Sequence, residues 1–387
     1  MNRRRFLQVG GAGAGLGLAL PGATLGAAHT TRISEPETDD KVIRLSGDGL
    51  GLTPPQYSRL LTRLLDEQSM TPDSYSLGGV VEELEAEFAR LLGKERAIFM
   101  PTGTLANHLA VRALARGPIR VIVQEDSHFN QDEGDCAQTL SNLTLIALAA
   151  GRATFTADQV QRVLDTTRGA RVVRPVSVIA IETPVRRKQG EHFDAAEMKK
   201  IVALANREGI RLHLDGARLF LQAAYTRENI VETAKMFDTV YVSLYKYFNA
   251  ASGAILAGPR SLLDGMYHDR RMFGGGLNAV WPFALVALHY LRGFSDRYRQ
   301  AVRISEELIK GLSHRDAFAV ERLPSGTHIF RLRIRGTDAS AFQKRLAAQG
   351  VILPGPNQGA FLINVNETLN RTTAAELIDK LVRAVAS

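Results

Sequence analysis

Two charged residues close an apolar run in "LHLDGARLF", residues 212–220. The run reads as a buried strand, and Asp215 and Arg218 are residue types seldom buried unless paired or put to use. Three further stretches carry groups able to do chemistry. "FMPTGTLANHLAV" passes from a strand through Pro101, Thr102, Gly103 and Thr104 into a helix. Small residues there expose backbone N–H groups at the positive end of a helix dipole, which suits a phosphate, although an ordinary N-cap turn has the same composition. "QEDSHFNQDEGD" sets His128 just past a strand ending near Gln124. An imidazole there can stack on a planar ligand, shuttle a proton, or simply face solvent. Finally, "TVYVSLYKYFNAASGAILAG" brings Lys246 to the end of a strand between Tyr245 and Tyr247, with Phe248 and a small-residue run beyond. Most lysines so placed snorkel to the surface. Flanked in this way, the amine is expected to lose hydration, drop in pKa and become a nucleophile.

A phosphate cradle, a ring-stacking imidazole, a buried acid and a desolvated lysine, in that order, fit pyridoxal 5'-phosphate (PLP). Lys246 would form a Schiff base with the cofactor, and Asp215 would keep the pyridine nitrogen protonated so that the ring accepts electrons. No metal is expected at such a site.

These residues need a frame that brings strand ends together. From about residue 75 the chain alternates apolar runs with amphipathic ones. "RAIFM", "IRVIVQE", "LTLIALA", "VSVIAIET", "RLHLD", "TVYVSLY" and "GAILAG" read as strands. "GGVVEELEAEFARLLG", "TLANHLAVRALA", "TADQVQRVLDTTR" and "DAAEMKKIVALANREG" read as helices. The alternation predicts an α/β fold with a mostly parallel sheet covered by helices on both faces. Ligands of such sheets sit at the carboxyl ends of the strands, where Thr104, His128, Asp215 and Lys246 all fall. A long helical run is expected from "NAVWPFALVALHYLRGF" to about Leu312, followed by a strand-helix-strand-strand-helix unit. The expected organisation is a leader at 1–28, a linker at 29–44, a large domain at 45–299 and a small α+β domain at 300–387.

The stretch from about 45 to 280 resembles the threonine aldolase and aromatic amino acid β-eliminating lyase family of fold-type I PLP enzymes. The resemblance is carried by "YSLGGVVEELEAEFARLLGKERAIFMPTGTLANHLAV", "SHFNQDEGD", "IETP", "LHLDGARLF", "SLYK" with "GAILAG", and "RRMFGGGLNAV". It implies a lyase acting on an amino acid or amine, by C–C cleavage or β-elimination, with Lys246 carrying PLP, Asp215 pairing the ring nitrogen and His128 stacking on the ring. Gly103 and Thr104 would hold the phosphate, and Arg218 would meet the substrate carboxylate or organise the site. It also implies a homodimer or homotetramer with active sites shared between subunits. Aminotransferase and racemase chemistry occur on the same fold, as does loss of catalysis with cofactor binding retained.

The chain departs from the family on the substrate side. The aldolases read Glu-Asn-Thr-His where this chain has Glu182-Thr183-Pro184-Val185, so an imidazole that meets the substrate hydroxyl is replaced by Val185. Ala360 stands where an arginine grips the substrate carboxylate, and Asn278 where another arginine is common. "LSGDG" replaces an early serine-bearing turn, leaving Ser46 or Asp48 as the substrate-side candidates there. Losing one bidentate arginine–carboxylate contact costs about a hundredfold in binding.

Composition restricts the alternatives. The chain of 387 residues is 45% hydrophobic and 23% charged, as ordinary globular proteins are. Three of its eight net positive charges are Arg3, Arg4 and Arg5, and the rest are scattered without interleaved aromatics, so nucleic-acid binding is not expected. "RRRFL" at 3–7, followed by a short glycine-rich apolar run, resembles a twin-arginine export signal, with a Sec signal or an uncleaved anchor as alternatives. Export to the periplasm or beyond is therefore expected, without stable membrane association once the signal is removed. Cys136 is the only cysteine, so no internal disulfide forms. A protein that folds around its cofactor in the cytoplasm before export has no need of one.

Overall fold

The predicted strands assemble into a seven-stranded sheet in the order Arg96–Met100, Ala254–Gly258, Thr239–Ser243, Arg211–Asp215, Val176–Glu182, Arg120–Gln124, Thr144–Leu148. All neighbours are parallel except Ala254–Gly258, which runs against both of its partners. This computed structural model describes residues 41–115, 117 and 119–386; the leader and nearly all of the expected linker lie outside them. The central strands are buried along their whole length, which is why they read as continuous β-branched runs rather than alternating ones.

Each helix end has a local cause. Helix Gly79–Leu92 buries Val80, Val81, Leu84, Phe88 and Leu92 on one stripe. It stops at Gly93, whose φ of 60° lets its N–H turn back to the carbonyls of Ala89 and Arg90. Helix Gly103–Leu114 starts where the Thr102 hydroxyl accepts the N–H of Leu105 at 3.1 Å, a cap worth about 1 kcal/mol. The expected continuous helix through residue 293 is two: Trp281–Leu291 and Phe294–Ser313. Gly293 at φ 70° separates them, because a left-handed residue cannot continue a right-handed helix.

Helix Phe294–Ser313 then serves two cores. Phe294 and Tyr298 join the core of the large sheet, while Ala301, Ile304, Leu308 and Leu312 enter a second core. That second core is covered by an antiparallel sheet in the order Phe361–Asn364, Ile329–Ile334, Phe318–Glu321. Ile43–Arg44, at the end of the expected linker, pairs in parallel with Val351–Ile352.

The aromatic residues after strand Thr239–Ser243 explain how Lys246 is held. Tyr247 and Phe248 are buried in a cluster with Phe88, Phe220 and Phe294, at centroid distances of 4.5–6.4 Å. Each such pair contributes about 0.5–1.5 kcal/mol beyond its burial. The chain is thereby anchored directly behind Lys246.

Candidate active site

A cavity of about 1000 Å³ opens at the carboxyl ends of the strands, and Ser46, Asp48, His128, Arg186, Arg218 and Lys246 are among its walls. Asp215, Gly103 and Thr104 are not part of that lining, but Tyr241 links Asp215 and Gly103 to Lys246 on its wall. Tyr241 is the register partner of Asp215 on the next strand, and its ring lies 5.9 Å from Lys246 Nζ. A Cβ on Gly103 would fall 2.1 Å from the Tyr241 hydroxyl, so only glycine lets the helix start come this close. Burial, reinforced by the nearby Arg218 charge, lowers the Lys246 amine to about 8.

Among the described residues, Asp215 is held by neutral donors alone. Asn107 Nδ2 donates to Asp215 Oδ2 at 2.9 Å, and the Ala217 N–H donates to Oδ1 at 3.1 Å. The same Asn107 nitrogen donates to Glu133 Oε1 at 2.9 Å. Glu133 Oε1 in turn meets His128 Nδ1 at 2.9 Å, and this hydrogen bond raises the His128 pKa. Behind Asn107 stands His213, with Nε2 3.0 Å from Asn107 Oδ1 and Nδ1 2.8 Å from the Thr239 hydroxyl. Since the amide nitrogen faces two carboxylates, Asn107 Oδ1 must accept, which places the His213 proton on Nε2. Burial lowers His213 to about 4, so it stays neutral.

Glu182 ends the strand beside Asp215, as its register partner. Its Oε2 accepts the N–H of His128 at 2.6 Å and its Oε1 the N–H of Arg186 at 2.9 Å. Burial and the neighbouring Asp215 charge push its carboxyl above the usual range. One buried side chain thus fixes the backbones of two cavity residues.

Arg218 and Asp48 are brought together with each other. Arg218 Nε and Nη2 both lie 2.9 Å from Asp48 Oδ2, and His328 Nε2 is 3.2 Å from Oδ1. Burial would raise the Asp48 carboxyl, but Arg218 and His328 outweigh it and hold it well below the usual carboxylate range. Ser46 reaches the cavity wall without a partner of that kind among the described residues. Val185 is fully buried, and Ala360 is 2% exposed with its N–H on the Asn357 carbonyl, so neither side chain presents a polar group to the cavity. Asn278 is exposed outside the lining, where its carbonyl accepts the Tyr75 N–H at 2.8 Å.

Asn107, Glu133, Glu182, Tyr241 and Arg186 were not singled out by sequence as site residues. Asn107 could have been: it is a polar residue among the buried apolar positions of the helix, four residues after Gly103. Glu133 follows His128 by five residues across a turn, a spacing that carries no recognisable period.

The donor set fits PLP. Lys246 offers an amine that is substantially neutral near pH 8. Asp215 accepts only two neutral N–H donors and retains lone pairs for a cationic ring N–H. The N–H groups of Gly103 and Thr104 precede any intrahelical acceptor and so are available to a phosphate. The comparisons with known proteins agree. Residues 67–334 match the beta-eliminating lyase family. The low-specificity L-threonine aldolase 1 of Arabidopsis thaliana is 23% identical over 292 residues, covering 74% of this chain and 81% of its own. The alanine racemase of Cochliobolus carbonum is 27% identical over 225 residues, 57% of this chain and 56% of its own. A candidate L-allo-threonine aldolase of Listeria monocytogenes EGD-E superposes with a TM-score of 0.72 at 27% identity, over 90% of this chain and 97% of that one. With the family pattern matched over most of its length and its strand ends furnished for the cofactor, the chain belongs to the beta-eliminating lyase family and is a PLP-dependent lyase of amino acids.

Proposed function

We propose that the cavity cleaves the Cα–Cβ bond, or expels a Cβ substituent, of a β-substituted amino acid, with Lys246 as the cofactor-bearing residue. The observation that carries this reading is the Lys246 amine, lowered to about 8 at the wall of the cavity. PLP, when bound, supplies the electron sink for charge developing at the substrate Cα. Asp215 would hold the pyridine N–H, the helix start at Gly103 and Thr104 the phosphate, and His128 the ring face. Lys246 Nζ, at the cavity wall, would also serve as the base that takes a proton from the substrate. Purified protein should show a visible absorption band from lysine-bound cofactor, and borohydride should fix the cofactor covalently on Lys246. An unchanged band in Lys246→Ala would sink the assignment. β-Hydroxy amino acids should yield glycine and an aldehyde.

Val185 favours a second reading. A buried valine at the position of the family's substrate-facing histidine removes the side chain that would take a hydroxyl proton. Chemistry limited to the α-proton, as in racemisation, needs no such group. Exchange of the Cα proton for deuterium without release of glycine from β-hydroxy amino acids would select this reading.

Export and assembly are also proposed. The "RRRFL" start supports a twin-arginine route to the periplasm, and a fusion of residues 1–30 to a reporter would decide against it by exporting only through Sec. Among the described residues, no helix is long and apolar enough to cross a membrane. Exposed Tyr75, Leu77, Met272 and Leu277 support association of two or more copies, to be measured by light scattering.

A further inference from the structure

By the resemblance Ala360 stands where the family has a carboxylate-gripping arginine, and Arg218 has both Nε and Nη2 on Asp48. A substrate carboxylate arriving at Arg218 would have to compete with a buried carboxylate already paired to it. The positive charge available to it must therefore come from another wall.

That wall is the one carrying His128. Arg186 and Asp132 both line the cavity beside it. Asp132 is shared by two guanidinium groups: Arg187 takes it with two nitrogens, at 3.1 and 2.7 Å, while Arg186 reaches it with Nη2 alone, at 2.8 Å. One carboxylate between two cations leaves the cluster with a net positive charge, and Arg187 alone suffices to hold Asp132. Among the described residues, Nε and Nη1 of Arg186 make no hydrogen bond. The side chain is about half exposed, so the fork can turn towards a ligand without losing buried packing.

Its backbone, in contrast, is rigidly placed. The Arg186 N–H and the His128 N–H share the two oxygens of buried Glu182, which ends its strand next to Asp215. Arg186 is therefore one carboxylate's width from the residue expected to stack on the cofactor ring. Either two-donor edge of the guanidinium includes Nη2, so the planar fork is suited to bidentate recognition of a carboxylate once it turns from Asp132, which Arg187 keeps with two nitrogens.

We propose that Arg186 binds a carboxylate of the amino-acid substrate, taking the role that Arg218 and Ala360 leave open. This rests on the cavity being the PLP-dependent amino-acid site. Holo-protein is titrated with two pairs of probes, and binding is read at equilibrium from the shift of the cofactor's visible band. Glycine and methylamine differ only in the α-carboxylate; aspartate and asparagine differ only in the charge of the side-chain carboxyl group. Arg186→Gln is expected to lower one of the two preferences by about tenfold or more, with Arg186→Lys retaining part of it. Loss in the first pair assigns the α-carboxylate, and loss in the second the side-chain carboxylate. Both preferences unchanged in Arg186→Gln, with one abolished in Arg218→Gln, would overturn the assignment while leaving the PLP reading intact. A wild-type band unmoved by any of the four probes would overturn both.

Discussion

Arg218 places Nε and Nη2 on one oxygen of Asp48, each at 2.9 Å, with the two side chains only 12% and 7% exposed. Breaking a pair this deeply buried strands a charge and costs about 3–5 kcal/mol, whereas removing both charges costs far less. Asp48→Leu should therefore lower the denaturant midpoint sharply, and the double variant Asp48→Leu/Arg218→Leu should recover much of the loss. The pH window follows from the depressed Asp48 pKa. A folded carboxyl held below its unfolded value of 3.8 stabilises fully above about pH 4 and loses that stabilisation as pH falls further. Equal destabilisation in the single and double variants would refute the pairing energy.

Lys246 should react as an unusual amine. With its pKa lowered to about 8, half of it is neutral at that pH, against about one in 300 for an ordinary lysine. Capture of added PLP by apo-protein should accelerate with pH to a midpoint near 8. Asp48 carries a charge that raises the Lys246 pKa, so Asp48→Asn should move the midpoint lower. A midpoint above pH 10 would mean that the amine is not desolvated.

The part of this site that was legible in the sequence is the part built by strand ends. Asp215 and Lys246 each terminate an apolar run, and a parallel sheet gathers such ends on one edge, so type and position together revealed them. The Gly103 turn was legible because glycine and threonine between a strand and a helix leave few other uses. What was hidden depends on distances between segments. Nothing in the chain reveals that Asp48 reaches Arg218 across 170 residues, and so the substrate-side expectation for Arg218 overlooked its partner. The helix break at Gly293 was readable in principle, but a helical pattern on both sides of the glycine hid it. Strand Phe318–Glu321 has four residues, too few for alternation to show.

Asn107 should matter to the cofactor without touching any substrate group. Its amide separates two carboxylates, those of Asp215 and Glu133, and donates to both. Asn107→Leu removes the shared donor and leaves Asp215 held by the Ala217 N–H alone among the described residues. PLP affinity should fall about tenfold to a hundredfold, as expected for losing a hydrogen bond to a charged group. Asn107→Asp adds a third carboxylate and should be worse. Equilibrium dialysis of PLP ranks the three proteins, and an Asp variant that binds as well as wild type would rule out the electrostatic role.

His213 sets an acid limit on the same network. Its Nε2–H is committed to Asn107 and its Nδ1 to the Thr239 hydroxyl, and burial holds it neutral in the folded state down to about pH 4, against 6.5 for an ordinary histidine. Between those values the unfolded chain binds a proton that the folded one does not, so stability rises with pH there and is lost on acidification. The full window corresponds to about 3 kcal/mol. His213→Gln retains an N–H donor for Asn107 and cannot titrate. Its stability should start lower at pH 7, because the imidazole packing is lost, but fall less steeply between pH 6.5 and 4. Urea midpoints at four or five pH values across that interval measure the difference in slope. Parallel curves for the two proteins would show that His213 does not carry the acid sensitivity.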